Sequence, residues 1–293
     1  MSKAGTKEFP ACLMEKRELV EKHLEACLPR EDQYPQTLHA AIRYSVMAGG
    51  KRLRPLLAIA AFEACDGEGE IIYPAAAALE LVHTYSLIHD DLPCMDDDAM
   101  RRGRPTLHRK YGEAVALLAG DALHDLAFRL MAQTDSAQAV LELAEAIGTN
   151  GMLAGQMADM EAEGAPVSED DVTFIHAHKT GKLIRGSVRI GAVLAGASEY
   201  TLESISQYGE RIGLAFQIVD DILDVEGDAH TLGKSVGSDT RNAKATFPRV
   251  IGLPKSKEKA NQLIEEAVDI ITTAVTRPDC FVELARFIGG RQS

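Results

Sequence analysis

The sequence predicts an all-α fold, a large bundle of about ten helices. Three observations lead there. Aromatic residues are sparse (no Trp, seven Tyr, eight Phe) while Ala, Leu and Glu are plentiful, a composition that favours helix. Apolar residues recur at helical spacing through nearly the whole chain. No turn sequence is flanked by clean alternation, so strand evidence is thin.

The elements follow in chain order. Residues 70–89, EIIYPAAAALELVHTYSLIH, read as a long apolar helix with Pro74 near the first turn, where a missing N–H is tolerated. The spacing repeats over 113–132, 141–160, 178–197, 202–225 and 257–275, and a short last segment lies near 281–288. Breakers at Gly67, 103–105, 164–166 and 227–239 mark loops between helices. No linker-like shift in composition and no internal period divides the chain, so residues 1–293 are expected to form a single domain. A hydrophobic content of 46% is ample for its core. Bundles of this kind build ligand sites between facing helices.

Charge and cysteine usage narrow the function. A net charge of −13 argues against a nucleic-acid partner, which needs a basic surface. The longest apolar runs are interrupted by Asp, Glu or Arg well before the roughly 20 residues of a membrane span. Five cysteines without paired spacing point away from a disulfide framework or a zinc site and towards a reducing cytoplasm. The opening MSKAGTKEFP lacks the apolar stretch of a signal peptide. A phosphorylated small molecule remains compatible with an acidic chain. Clustered Lys and Arg, or a metal ion held by carboxylates, reverse the field locally.

Two aspartate clusters supply that possibility. SLIHDDLPCMDDDAMRRG places five aspartates within nine residues, directly after an apolar helix and before two arginines. Asp90 and Asp91 end the helix, Pro93 bends the chain, and Asp96 is delivered from the bend. In LAFQIVDDILDVEGD, Asp220 and Asp224 are four apart and share a helix face, with Asp221 beside them. A helix C-terminus is a poor place for anions, so carboxylates crowded there call for a cation. Hard oxygen ligands without Cys or His select Mg²⁺, shared with substrate phosphates. A lone Asp-rich stretch is more often a solvated loop; two, each behind an apolar helix and each followed by basic residues, are not.

Basic residues are distributed to match. Gly49 and Gly50 precede Lys51, Arg52 and Arg54 in GGKRLRP; Arg101 and Arg102 follow the first cluster; Lys179 and Lys182 lie in HKTGKL; Lys234 and Lys244 follow the second cluster. Singly, each is more often a surface charge. Around two metal-type clusters, Lys51, Arg54, Arg101, Arg102, Lys179 and Lys234 become candidates for gripping a diphosphate.

These motifs closely resemble those of the all-α trans-isoprenyl diphosphate synthases, especially the short bacterial farnesyl diphosphate synthases and the related geranylgeranyl enzymes. The resemblance runs from GGKRLRP through LIHDDLPCMDDDAMRRGRPTLH, AGDAL, GQMADM, HKTGKLI and FQIVDDILD to GKSVGSD and KATFP. It implies the isoprenoid synthase bundle, with its helices around a central cavity, and a homodimer. It also implies that Asp90, Asp91, Asp96, Asp220 and Asp224 hold three Mg²⁺ ions against an allylic diphosphate contacted by Arg101, Lys179 and Lys234. Gly50, Lys51, Arg54, His83 and Arg102 match the grip on isopentenyl diphosphate. Thr180 and Gln217, next to Phe216, match groups that face the developing carbocation. Ala99, Ser238 and Ala243 depart from common family residues, but none of them is a ligand in the pattern.

The implied reaction is head-to-tail condensation of isopentenyl diphosphate with dimethylallyl and then geranyl diphosphate. Its product grows down an apolar tunnel away from the aspartates. Tyr85 lies five residues before Asp90, about 7.5 Å along the axis, with Ser86 next to it. In the resembling family a bulky aromatic there accompanies a C15 product, so farnesyl diphosphate is expected, with C20 and then C10 as alternatives. Periodicity alone puts Tyr85 off the face of Asp90. A noncatalytic subunit should have lost aspartates, and a terpene cyclase has no need of the isopentenyl diphosphate grip. His83, by spacing alone, reads equally as a core histidine; the resemblance makes it a diphosphate contact. Met157 and Met160 are read as core filler.

Overall fold

A computed structural model describes residues 11–226 and 244–290, and the all-α expectation holds there. Helices α1 (Ala11–Cys27), α2 (Gln36–Val46) and α3 (Leu53–Ala64) lead to α4 (Ile72–Asp90), which is apolar on nearly every side. Four consecutive alanines, Ala75 to Ala78, are all buried and leave room for α3 and α6 (Glu113–Ala132) to close on α4. After the short α5 (Leu107–Tyr111) and α6 come α7 (Ala137–Ile147), α8 (Met152–Ala162) and α9 (Glu169–His176). One π-helical turn, Ala177–Gly181, joins α9 to α10 (Lys182–Leu194). The 28-residue α11 (Glu199–Glu226), α12 (Phe247–Ile251), α13 (Leu253–Ala274) and α14 (Asp279–Gly289) complete the order. Packing of α11 against α10 and α13 forms the second half of the core, centred on Tyr208 and Phe281. Among the described residues no helix is long and apolar enough to cross a membrane.

Met157 and Met160, expected in the core, are exposed on α8, and three further expectations need correction. The helix expected over 141–160 is two helices, because Gly148 ends α7 and Gly151 starts α8. A Cβ on Gly151 would collide with the carbonyl oxygens of Glu145 and Ala146, so only glycine fits this turn. Second, Met100–Arg101 (β1) and Arg104–Pro105 (β2) form a minimal antiparallel hairpin. Its two turn residues, Arg102 and Gly103, have φ of +52° and +72°, the left-handed geometry of a tight hairpin. Such short strands offer no alternation to read. Third, the sulfurs of Cys12 in α1 and Cys280 in α14 meet across 268 residues, a pairing that local spacing cannot reveal.

Candidate active site

A cavity of about 820 Å³ opens between α3, α4, α8, the π turn and α11. Its wall carries Gly50, Lys51, Arg54, His83, Tyr85, Ser86, Asp90, Asp96, Arg101, Arg102, Lys179, Thr180, Gln217, Asp220 and Asp224. Residues from five stretches of sequence thus meet in one place. Lys234, and with it Ser238 and Ala243, lies outside the described residues.

One end of the cavity is cationic. Arg54 projects from the first turn of α3, and burial lowers its guanidinium pKa to about 10. Its buried Nε has no hydrogen-bond partner among the described residues, as expected of a donor aimed at a ligand. Arg102 donates to the carbonyl of Gly49. Gly50 has φ of +137°, which favours glycine, and a Cβ there would lie 3.0–3.2 Å from the Arg102 guanidinium. His83 is pushed well below its usual pKa by burial and by Arg54, Arg102, Arg101 and Arg52, so it is neutral. Behind this end stands Arg52, in left-handed backbone geometry at the start of α3. Its buried guanidinium donates to Glu80 (2.7 Å), to Glu21 (2.8 Å) and to the Val46 carbonyl (2.8 Å). Glu80 also lines the cavity.

The other end is lined by carboxylates. Asp90 is the last residue of α4, and the Asp96 amide donates to the Asp90 carbonyl at 2.8 Å, folding the loop back so that Asp96 joins Asp90 at the cavity. Burial raises the Asp90 pKa, and Asp96 adds to the shift against the opposing Lys179, Arg101 and Lys244. Asp220 and Asp224 reach the wall from one face of α11. Lys244 pairs with Asp96 at 3.1 Å and Lys179 with Asp159 at 2.6 Å. The π turn holding Lys179 and Thr180 is pinched between two glycines. A Cβ on Gly155 of α8 would strike the Lys179 backbone, and one on Gly213 of α11 would come within 2.7 Å of Gly181. Such π turns recur at functional sites. Thr180 donates to Gln217 Oε1 at 2.8 Å, so both oxygens are held in the cavity beside Phe216.

Asp91, expected as a ligand beside Asp90, is not on this wall. Neighbours on a helix point about 100° apart, and Asp91 turns towards Arg101, which donates to it at 2.7 Å and to Asp98 at 3.1 Å. Burial raises the Asp91 pKa to about 6 despite Arg101. Asp91 therefore aims Arg101 from behind. Asp221 lines the cavity but accepts hydrogen bonds from His176 and from the Phe247 amide. Asp159 and His176 escape sequence reasoning. GQMADM marks the neighbourhood of Asp159, yet no spacing says that it meets a lysine 20 residues on.

The donor set suits Mg²⁺. Among the described residues no three His, Cys, Asp or Glu side chains converge tightly enough to hold an ion unaided. Two carboxylates of the first cluster and three of the second nevertheless line one cavity, and one of those three, Asp221, is engaged by His176 and the Phe247 amide. Mg²⁺ is bound in just this way, by one or two carboxylates with phosphates and water completing the octahedron.

Tyr85 and His89 add rings to the cavity wall. Tyr85 is buried, its ring edge-on to His89 (centroids 5.8 Å apart) and to His124 of α6 (5.4 Å). His89 nests against Gly120, where any side chain would collide with it.

Comparison with known proteins accords with this geometry. A family model described as "Polyprenyl synthetase" matches residues 35–279. The Arabidopsis thaliana heterodimeric geranylgeranyl pyrophosphate synthase large subunit 1, chloroplastic, is 43% identical over 305 residues, covering 100% of this chain and 82% of its own. An FPP/GFPP synthase from Zymomonas mobilis superposes with a TM-score of 0.83 at 33% identity, over 95% of this chain and 98% of its own. Geranyltransferase from Helicobacter pylori, solved with magnesium and isoprenyl diphosphate, gives 0.82 at 33% identity, over 96% and 97%.

Proposed function

This chain belongs to the polyprenyl synthetase family and is a prenyltransferase, and from that premise we propose that it is a Mg²⁺-dependent farnesyl diphosphate synthase. It would join isopentenyl diphosphate first to dimethylallyl and then to geranyl diphosphate, breaking the allylic C–O bond, forming the new C–C bond and releasing diphosphate and a proton. The observation that carries the reading is one cavity with a cationic end, a carboxylate end and aromatic rings in its wall.

Each end has a task. Lys51, Arg54, neutral His83 and Arg102 hold the diphosphate of isopentenyl diphosphate and place its alkene. Asp90, Asp96, Asp220 and Asp224 would hold Mg²⁺, three ions by resemblance, with Arg101 and Lys179, and by resemblance Lys234, on the allylic diphosphate. When bound, Mg²⁺ supplies positive charge to the leaving group as the C–O bond ionises. Thr180 and Gln217 would present oxygens to the carbocation, from which water must be excluded or the cation is quenched. By resemblance, the released diphosphate takes the proton.

Tyr85, braced by His89 and His124, favours a stop at C15. Geranylgeranyl diphosphate is the second reading, favoured by the names of plant relatives such as the one above. Incubation with Mg²⁺, labelled isopentenyl diphosphate and each allylic primer, followed by sizing of the dephosphorylated alcohols, decides between them. A C15 product that lengthens in Tyr85→Ala supports the floor. A C20 product from the unaltered enzyme rejects it, and no condensation rejects the synthase reading. A single domain forming a homodimer is proposed on the resemblance, and sedimentation equilibrium tests the dimer.

A further inference from the structure

Asp221 sits in the middle of the second aspartate cluster, yet its carboxylate is engaged elsewhere. His176 Nε2 donates to Asp221 Oδ2 at 2.7 Å, and the Phe247 amide donates to the same oxygen at 3.0 Å. Asp221 and His176 are both buried, and the His176 ring packs on the fully buried Phe247 ring with centroids 5.4 Å apart. These contacts join three elements far apart in sequence. His176 ends α9 and is followed directly by the π turn that carries Lys179 and Thr180. Asp221 follows Asp220 on α11. Phe247 opens α12, three residues after Lys244, which pairs with Asp96.

We propose that Asp221 is a positioning residue rather than a Mg²⁺ ligand. With His176 and the Phe247 amide it forms a latch that fixes the π turn, the Asp220/Asp224 face and Lys244 relative to one another. The proposal deepens the synthase reading given above and depends on it only for its kinetic test. An ionised carboxylate accepts and cannot donate, so the proton of the 2.7 Å bond is on His176 Nε2. Oδ2 already accepts two donors, which leaves it poorly placed to serve a cation as well.

Melting in EDTA without substrate reads the latch in the absence of metal. Removing the latch abandons two hydrogen bonds, one of them to a buried His, so Asp221→Ala should melt roughly 5–10 °C lower. His176→Ala should fall similarly, and the double variant should lose little more than either single change. Asp221→Asn retains an acceptor for both donors. It should melt within about 2 °C of wild type, and its half-activating Mg²⁺ concentration should stay within roughly threefold, against tenfold or more for Asp220→Asn.

An Asp221→Ala protein melting at or above wild type in EDTA would overturn the latch. So would an Asp221→Asn enzyme needing as much extra Mg²⁺ as Asp220→Asn. If Asp221→Ala does not fold, the Asn titration decides. If the wild-type protein condenses nothing, the synthase reading fails while the EDTA melts still judge the latch.

Discussion

The two ends of the cavity are charged by opposite means. At the cationic end the framework is internal and buried: Arg52 is fixed by Glu21, Glu80 and the Val46 carbonyl, and Arg102 by the Gly49 carbonyl. At the carboxylate end, Asp96 is neutralised by one contact from Lys244, 148 residues away, and Lys179 is held by Asp159 on a different helix. An arginine fork locked by several acceptors is preorganised, whereas a lysine is a point charge on a flexible stem. In the proposed reaction the first end would hold one anion without rearrangement, and the lysines of the second would turn from carboxylates to phosphates as a substrate–metal complex arrives.

The sharpest way to break that comparison is at the carboxylates. Asp90→Ala and Asp220→Ala should each lower kcat by roughly a thousandfold or more, because several kcal/mol of leaving-group stabilisation go with the cation they would hold. EDTA should reproduce the loss in the wild-type enzyme, and single-turnover assays at saturating substrate would show it. Little change in either variant would remove these residues from the metal site.

The next effect belongs to the framework and should appear in stability. Arg52→Met leaves Glu80 buried without its cation, which costs about 3–5 kcal/mol; denaturant unfolding would read this as a lower midpoint. Arg52→Met with Glu80→Gln should recover part of the loss, and failure to recover would mean that the pair is not the unit that matters.

Arg54→Ala should act on binding instead. One charge-assisted grip lost is about 1.5–3 kcal/mol, or roughly 10- to 100-fold in the KM for isopentenyl diphosphate, with the allylic KM little altered. A change confined to the allylic substrate would mean that the two ends have been assigned the wrong way round. The smallest effect is expected for Lys244→Ala. Its pair with Asp96 is partly exposed and worth about 1 kcal/mol at most to stability. The activity lost should be recovered in part at higher Mg²⁺. A melting temperature far below wild type would show the carboxylate end to be as rigid as the cationic one.

Much of this was legible in the residues themselves. The all-α class, the long helices bearing the clusters and most of the cavity wall follow from apolar spacing and from the crowding of like charge beside apolar runs. Spacing set Asp220 and Asp224 on one face apart from Asp221, but it did not distinguish Asp90 from Asp91. Adjacent residues carry the same chemistry, and the 100° between them acquires meaning only when the position of the cavity is known. Tyr85 shows the limit from another side. Since α4 is buried nearly all round, its apolar pattern designates no face, yet Tyr85 and Asp90 line the same cavity.

By itself, then, the sequence determined which segments become helices, where two carboxylate clusters fall along them, and which cations stand nearby in the chain. Local propensity and periodicity act over a few residues, so these features need no partner to be read. The tertiary structure alone decided the pairings: Asp91 with Arg101, Asp159 with Lys179, Asp96 with Lys244, and Asp221 with His176 and Phe247. Most of these join residues tens to more than a hundred positions apart. Around the π turn, glycines at 155 and 213 let α8 and α11 approach closely, which brings Asp159 within reach of Lys179. Which helix packs on which is a property of the whole core, and no local window of sequence contains it.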